Sequence, residues 1–306
     1  MNVREWALPV YTILMQLAVG SLLVLWLIRR LAASRFSPQQ IDYIVRNPIM
    51  VIAFTAAVAM IGAHFHLSRP FHSYLAVLNF KSSWLSREIV FSVLFFLTNT
   101  GLLYLTFFKT HLRSLITVLG WLAILFGTVL VYCMARIYLI PTQVAWNSTT
   151  VILSFYITTL MLGCMAIACL MVLDLKFAEI TRSENVQLRI DVIRYSFSSL
   201  TLLTIFLVAF SIAVLYTQMY LLAQGGLIAR TSLDLLLDLY LPLFVIRIVF
   251  LLFATGLLMI AVYRIRRLRL SPQGLFMPVY ISCLLIMVGE IIGRFLFYAT
   301  HIRVGI

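Results

Sequence analysis

The chain has 306 residues, of which 63% are hydrophobic and 11% charged, with a mean hydropathy of +1.06. Soluble domains carry about 25% charged residues, so this composition excludes a soluble globular protein and indicates an integral membrane protein. A formal net charge of +13 would suggest a nucleic-acid partner for a soluble protein. Here the excess cations lie in short connections between apolar runs, where membrane topology and anionic lipids explain them better.

Eight apolar runs are long enough to cross a bilayer as helices. They cover approximately residues 8–28, 48–66, 87–108, 114–134, 148–173, 195–222, 241–263 and 275–297. Uniformly apolar runs of about 20 residues favour helices, because the strands of a membrane barrel are shorter and alternate in polarity. The connections are too short to hold a soluble domain. The sequence therefore predicts an all-α integral membrane protein, with a bundle of eight transmembrane helices forming one domain over residues 1–306.

The distribution of Lys and Arg predicts the orientation, because cytoplasmic loops carry an excess of these residues. The first, third, fifth and seventh connections hold 14 of them: Arg29, Arg30, Arg35, Arg46, Lys109, Arg113, Lys176, Arg182, Arg189, Arg194, Arg264, Arg266, Arg267 and Arg269. The termini, the even-numbered connections and the span ends beside them hold 8, counting Arg87 and Arg294. An even number of spans puts both termini on one face, and we expect that face to be the outward one.

The segment 61–90, which joins the second and third spans, is unusually polar for its position. It contains a group of ionisable side chains: His64, His66, Arg69, His72, Lys81, Arg87 and Glu88. Polar groups at the mouth of a bilayer are costly and are often functional. Because Arg69, Lys81 and Arg87 remain on the outward face against the orientation rule, they are candidates for docking a partner. A loop that contacts lipid headgroups explains the same charges.

Three further charges lie inside the last two spans: Arg247 in the seventh, and Glu290 and Arg294 in the eighth. Glu290 and Arg294 are four residues apart, so they share a helical face and could form a simple ion pair. Glu290 lies about 10 Å from the outer end of its span at 1.5 Å per residue, and Arg247 lies at a similar depth. With His66 and Glu88, five ionisable groups from four helices fall in the outer third of the membrane.

These groups fit a quinol site. A quinol needs an apolar slot for its tail, polar groups at its head and a proton acceptor. Histidine accepts a proton near neutral pH, and a carboxylate can relay it. We therefore take His66 and Glu88 as the candidates for quinol binding and proton acceptance, with Arg247, Glu290 and Arg294 forming the environment of the site.

Two other classes of membrane protein remain as alternatives. A haem b subunit would need axial histidines, generally in pairs, and no histidine lies deep in a span. A secondary transporter would show Gly or Pro breaks near the midplane, whereas these spans are mostly unbroken. The four cysteines lie inside apolar runs without CxxC spacing. We expect no haem, iron–sulfur cluster or metal site in this chain.

Two motifs in the segment 61–90 resemble a known family. The first reads His66-Leu67-Ser68-Arg69-Pro70 and matches His-Leu-x-x-Pro; the second reads Leu85-Ser86-Arg87-Glu88-Ile89 and matches Leu-Ser-x-Glu-Ile. The last span, with GEIIGRFLFY, is also similar. The chain resembles the membrane-anchor subunit of bacterial dimethyl sulfoxide reductase, the DmsC type. That family commonly has glycine where this chain has Ser68.

The resemblance implies a three-subunit complex of anaerobic respiration in the bacterial inner membrane, with both termini of the anchor in the periplasm. A molybdopterin subunit reduces the terminal acceptor, a four-cluster iron–sulfur subunit carries electrons, and the anchor oxidises menaquinol without a haem of its own. The histidine matching His66 is associated with menaquinol, and the position matching Glu88 lies beside it. The terminal acceptor is chosen in the partner subunit.

Overall fold

The structure is a computed structural model that describes residues 3–66, 75, 77–182, 186–268 and 272–302. Side chains at 3–7, 64–66, 266–268 and 272–273 lie outside this description. Within the described ranges every regular element is helical and no strand occurs. This agrees with the all-α prediction.

Nine α-helices follow one another along the described chain. They are α1 (Val3–Ala32), α2 (Pro38–His66), α3 (Trp84–Phe108), α4 (Arg113–Tyr138), α5 (Thr149–Ile180), α6 (Val186–Gln224), α7 (Leu227–Asp234), α8 (Leu241–Leu268) and α9 (Phe276–Ala299). A π-turn at Leu235–Leu239 and a 3-10 turn at Pro272–Leu275 precede α8 and α9.

All of these helices except α7 are long and apolar enough to cross a membrane, which matches the eight predicted spans. The chain is a multi-pass membrane protein. Serine residues define two of the helix starts: Ser83 accepts a hydrogen bond from the backbone N–H of Ser86, and Ser148 accepts one from Thr150. The apolar pattern does not predict α7, because this helix is short and is not an apolar run.

Ion pairs join the helices at one end of the bundle. Arg113 Nε lies 3.0 Å from Asp42 Oδ2, and Arg29 Nη2 lies 3.8 Å from Asp42 Oδ1, which ties α1, α2 and α4 together. Arg189 Nε lies 2.5 Å from Asp174 Oδ2 and ties α5 to α6. We call this end, where the α1–α2, α3–α4 and α5–α6 connections meet, the basic end.

The opposite end holds the start of α1, the end of α9 and the α4–α5 connection. Trp146 Nε1 donates to the Phe297 carbonyl at 2.8 Å, and Gln218 Nε2 donates to the Ala145 carbonyl at 3.4 Å. We call it the site end, because the buried acids described below lie near it. The assignment of this end to the outward face remains a prediction from the charge count.

Helices α1 and α5 form the centre of the bundle and touch at glycines. A Cβ atom on Gly20 would lie 1.9 Å from the Thr159 carbonyl oxygen, and one on Gly163 would lie 2.3 Å from the Gly20 carbonyl carbon. Only glycine permits so close an approach of two backbones, as is common between membrane helices. The contact places Gln16 on α1 and Thr158 on α5 beside α9.

Candidate functional site

Glu88 lies near the start of α3 and is only 5% exposed. Its carboxyl group is hydrogen-bonded to the Tyr11 hydroxyl of α1. Tyr11 also lies 2.8 Å from Ser92 Oγ, and Ser92 donates to the Glu88 carbonyl at 2.7 Å. Within the described ranges, no cation is ion-paired with Glu88. The described partner of this buried carboxyl group is therefore a hydroxyl, that of Tyr11.

The other predicted members of the 61–90 segment are only partly described. His66 is the last residue of α2, but its side chain, and all of Arg69, lie outside the described residues. Lys81 is exposed at the site end, just before α3. Arg87 donates from Nε to the Phe80 carbonyl at 2.9 Å and from Nη2 to the Lys81 carbonyl at 2.6 Å. Arg87 thus holds the connection that leads into α3.

The three charges of the last two spans line one cavity of about 70 Å³, which we call the α8–α9 cavity. Arg247, Glu290 and Arg294 are all buried, and Thr158 and Gln218 add polar groups from α5 and α6. Ligand pockets usually measure about 300–1,000 Å³, so in this conformation the cavity does not accommodate a quinone ring. The prediction that the three charges surround the quinol stays a prediction.

Glu290 is bound by two neighbouring helices. Arg247 Nη2 of α8 lies 3.3 Å from Oε1, and Thr158 Oγ1 of α5 donates to Oε2 at 2.5 Å. A Cβ atom on Gly293 would lie 2.5 Å from Arg247 Cζ, so the glycine gives the guanidinium room against α9. Thr158 and Gly293 were not predicted from the sequence, because threonine and glycine are common in apolar helices.

Arg294 does not form the simple pair with Glu290 that its spacing allows. Its Nη2 donates to Gln16 Oε1 at 2.7 Å, and its Cζ lies 4.0 Å from the centre of the Phe155 ring. Gln16 Nε2 in turn donates to the Phe155 carbonyl at 2.9 Å. Gln16 was also missed, although a glutamine inside the first apolar run is a signal that sequence reading could have used.

Five aromatic side chains pack together beside the α8–α9 cavity. We call them the aromatic layer: Tyr138, Trp146, Phe155, Phe297 and Tyr298. The Tyr138 and Tyr298 hydroxyls are hydrogen-bonded, Trp146 stacks on Phe297 with ring centres 5.2 Å apart, and Trp146 and Phe297 line the cavity. Glu88 is within electrostatic range of Tyr138 and Tyr298. Glu290 lines the α8–α9 cavity whereas Glu88 does not, so the two buried acids occupy separate sites.

Comparisons with known proteins cover the whole chain. The family model "DMSO reductase anchor subunit (DmsC)" matches residues 1–300. The YnfH subunit of an anaerobic dimethyl sulfoxide reductase of Escherichia coli is 28% identical over 309 residues, which covers 99% of this chain and 96% of the relative. The C subunit of the anaerobic dimethyl sulfoxide reductase of Haemophilus influenzae is 26% identical over 308 residues, covering 100% and 98%. The chain therefore belongs to the DMSO reductase anchor subunit (DmsC) family.

Proposed function

We propose that this chain is the membrane anchor and menaquinol-oxidising subunit of a heterotrimeric molybdoenzyme in the bacterial inner membrane. It passes electrons to a four-cluster iron–sulfur subunit, which passes them to a molybdopterin catalytic subunit during anaerobic respiration. Membership of the anchor family over the whole chain supports the anchoring role. Both relatives are named as chains of anaerobic dimethyl sulfoxide reductases, which supports the proposal that this chain is part of a molybdoenzyme complex.

The observation that carries the quinol role is the buried carboxyl group of Glu88 with its hydroxyl partner. Oxidation of menaquinol to menaquinone releases two electrons and two protons, so the site must receive protons as the electrons leave. A carboxylate accepts a hydrogen bond from a quinol hydroxyl and takes its proton, and the Tyr11 hydroxyl can serve the acid in either protonation state. We assign the second polar contact to His66, which ends α2.

A test of the quinol role replaces His66 with Leu in the assembled complex. We expect menaquinol-dependent turnover to fall about 100-fold, the lower range for loss of a general base, and binding of quinol-site inhibitors to weaken. Turnover driven by an artificial donor that reduces the partner subunits directly should persist. His111→Leu, in the exposed turn just before α4, is the matched control. Unchanged quinol oxidation and inhibitor binding in His66→Leu would overturn the assignment.

The partner is proposed to dock at the site end near Arg69 and Lys81. This position puts the iron–sulfur subunit beside the quinol, and cations on an outward loop can steer and orient an acidic partner surface. Reversing the charge at both positions, Arg69→Glu with Lys81→Glu, should lower the amount of partner retained on washed membranes. Lys109→Glu, an exposed lysine at the basic end, is the control. Normal retention by the double variant would defeat the docking proposal while leaving the quinol role intact.

A further inference from the structure

A second cavity, of about 240 Å³, lies at the basic end, far from both buried acids. We call it the basic-end cavity. The last turns of α1, the first turn of α2 and the start of α4 surround it. The residues that matter for its chemistry are Trp26, Arg29, Arg30, Asp42, Arg113 and Trp121. Nothing in the proposed quinol chemistry uses this cavity.

The charges around the basic-end cavity are not balanced. Asp42 is the acid in its lining, and it is shared by Arg113 at 3.0 Å and Arg29 at 3.8 Å. Arg30 adds a third guanidinium, and its side chain is exposed. One carboxylate cannot neutralise three guanidinium groups. The cavity therefore keeps a net positive charge, which favours an anion.

Two N–H donors in the cavity wall have no acceptor among the described residues. Arg29 Nη1 donates to Thr117 Oγ1 at 3.0 Å, but Arg29 Nε is buried without an acceptor. The indole Nε1 of Trp26 is also buried without an acceptor. The Arg29 guanidinium lies 4.7 Å from the centre of the Trp26 ring. Buried donors are normally paired, so these two mark a place where an acceptor would be favourable.

The lipid-facing side of α4 continues from the cavity. Val118, Trp121 and Leu125 are exposed apolar residues at spacings of three and four, so they form one stripe along the helix. Trp121 belongs both to this stripe and to the cavity lining. A free phosphate ion has no apolar part that could contact the stripe, whereas the acyl chains of a phospholipid would cover it. Basic pockets between transmembrane helices bind anionic headgroups in this way.

We propose that the basic-end cavity binds the phosphodiester group of an anionic phospholipid such as phosphatidylglycerol. Arg29, Arg30 and Arg113 surround the phosphate, and the acyl chains lie along the α4 stripe. The bound lipid fills the space between α1, α2 and α4, and it holds this end of the anchor in an anionic leaflet.

The test uses the full-length chain in nanodiscs of equal parts phosphatidylglycerol and phosphatidylcholine, with retained lipid counted by native mass spectrometry. Ala33 lines the cavity and is exposed, so Ala33→Glu puts an opposing charge there without burying it. Ser34→Glu adds the same charge one residue away at an exposed position outside the lining and is the control. Arg30→Gln is a second variant, which removes a cation from an exposed position.

We expect phosphatidylglycerol to be retained over phosphatidylcholine by the parent protein. Each of Ala33→Glu and Arg30→Gln should lower its retention about fivefold, the effect of one charge at a membrane surface, while Ser34→Glu should not. Equal losses in Ala33→Glu and Ser34→Glu, or no loss in Arg30→Gln, would overturn the proposal. Release of the lipid by inorganic phosphate alone would assign the cavity to free phosphate and also overturn it.

Discussion

Glu88 and Glu290 are both buried near the site end, at 5% and 3% exposure, yet their surroundings differ in kind. Glu290 is ion-paired with Arg247 and also bound by Thr158, so α5, α8 and α9 meet at its carboxylate. The described partner of the Glu88 carboxyl group is the Tyr11 hydroxyl. Burial alone does not distinguish a structural acid from a proton-exchanging one. The proposed distinction rests on the cation: the guanidinium of Arg247 only donates and so favours the Glu290 carboxylate, whereas the Tyr11 hydroxyl can pair with either protonation state of Glu88.

The largest effect should come from removing the cation beside Glu290. Arg247→Leu leaves a buried carboxylate without its ion pair, and we expect a loss of about 3–5 kcal/mol in the free energy of unfolding, the range for breaking a buried pair. Unfolding of the purified protein in mixed detergent micelles measures this. The double variant Arg247→Leu with Glu290→Leu should recover most of the loss, because it removes both members of the ion pair together. A double variant as unstable as Arg247→Leu would contradict a structural role for the pair.

The second prediction contrasts the two acids directly. Glu88→Gln should lower menaquinol-dependent turnover of the assembled complex about 100-fold, because the amide cannot accept a proton. Glu290→Gln should reduce the amount of assembled complex. A purely structural role for the pair with Arg247 predicts turnover per complex close to the parent value, whereas a place in the environment of the quinol predicts a loss of turnover as well. Turnover is measured with a menaquinol analogue and normalised to the bound iron–sulfur subunit. Equal losses of turnover in the two variants would remove the functional distinction between the acids.

A smaller effect is expected when the hydroxyl partner of Glu88 is removed. Tyr11→Phe deletes the hydroxyl that contacts both Glu88 and Ser92 while keeping the ring in the core. We expect turnover to fall about tenfold, equivalent to about 1.4 kcal/mol. The free energy of unfolding should fall by about 1 kcal/mol, the usual contribution of an interhelical hydrogen bond in a membrane. Tyr156→Phe, which removes a hydroxyl bonded to the Thr128 carbonyl, is the control. Equal turnover in Tyr11→Phe and Tyr156→Phe would contradict the proposed role of the Tyr11 hydroxyl.

The smallest effect should come from Thr158, the second partner of Glu290. Thr158→Val keeps the shape of the side chain and removes one hydrogen bond between α5 and α9. Interhelical hydrogen bonds in membranes contribute about 0.6 to 1.7 kcal/mol, so we expect a loss of about 1 kcal/mol. Turnover should not change. A loss as large as that of Arg247→Leu would show that the hydroxyl, and not the guanidinium, is the main partner of Glu290.

Several features of this molecule followed from the order of residues alone. The eight membrane helices were predicted because an apolar run of about 20 residues has no other stable way to cross a bilayer. The polar positions Glu88, Arg247, Glu290 and Arg294 stood out because charges are rare in such runs. Placing Arg247 and Glu290 at one depth followed from helical rise, and these two groups do form an ion pair.

The choice of partners was decided only by the tertiary structure. Spacing allowed Glu290 to pair with Arg294. In the structure Glu290 pairs instead with Arg247 of α8, and Arg294 donates to Gln16 of α1. This choice depends on how closely the helices approach one another. Gly293 of α9, for example, gives the Arg247 guanidinium room against that helix, and the local sequence of α9 does not reveal this contact.

The position of each helix in the bundle was likewise a tertiary property. The spans in α1, α5 and α8 are similarly apolar, yet the buried share of an apolar 18-residue stretch in each is 78%, 67% and 28%. Lipid tails are as apolar as a protein core, so hydropathy identifies a membrane helix without showing which neighbour it packs against. The sequence by itself determined what crosses the membrane and which residues are costly there. Packing determined which of those residues meet.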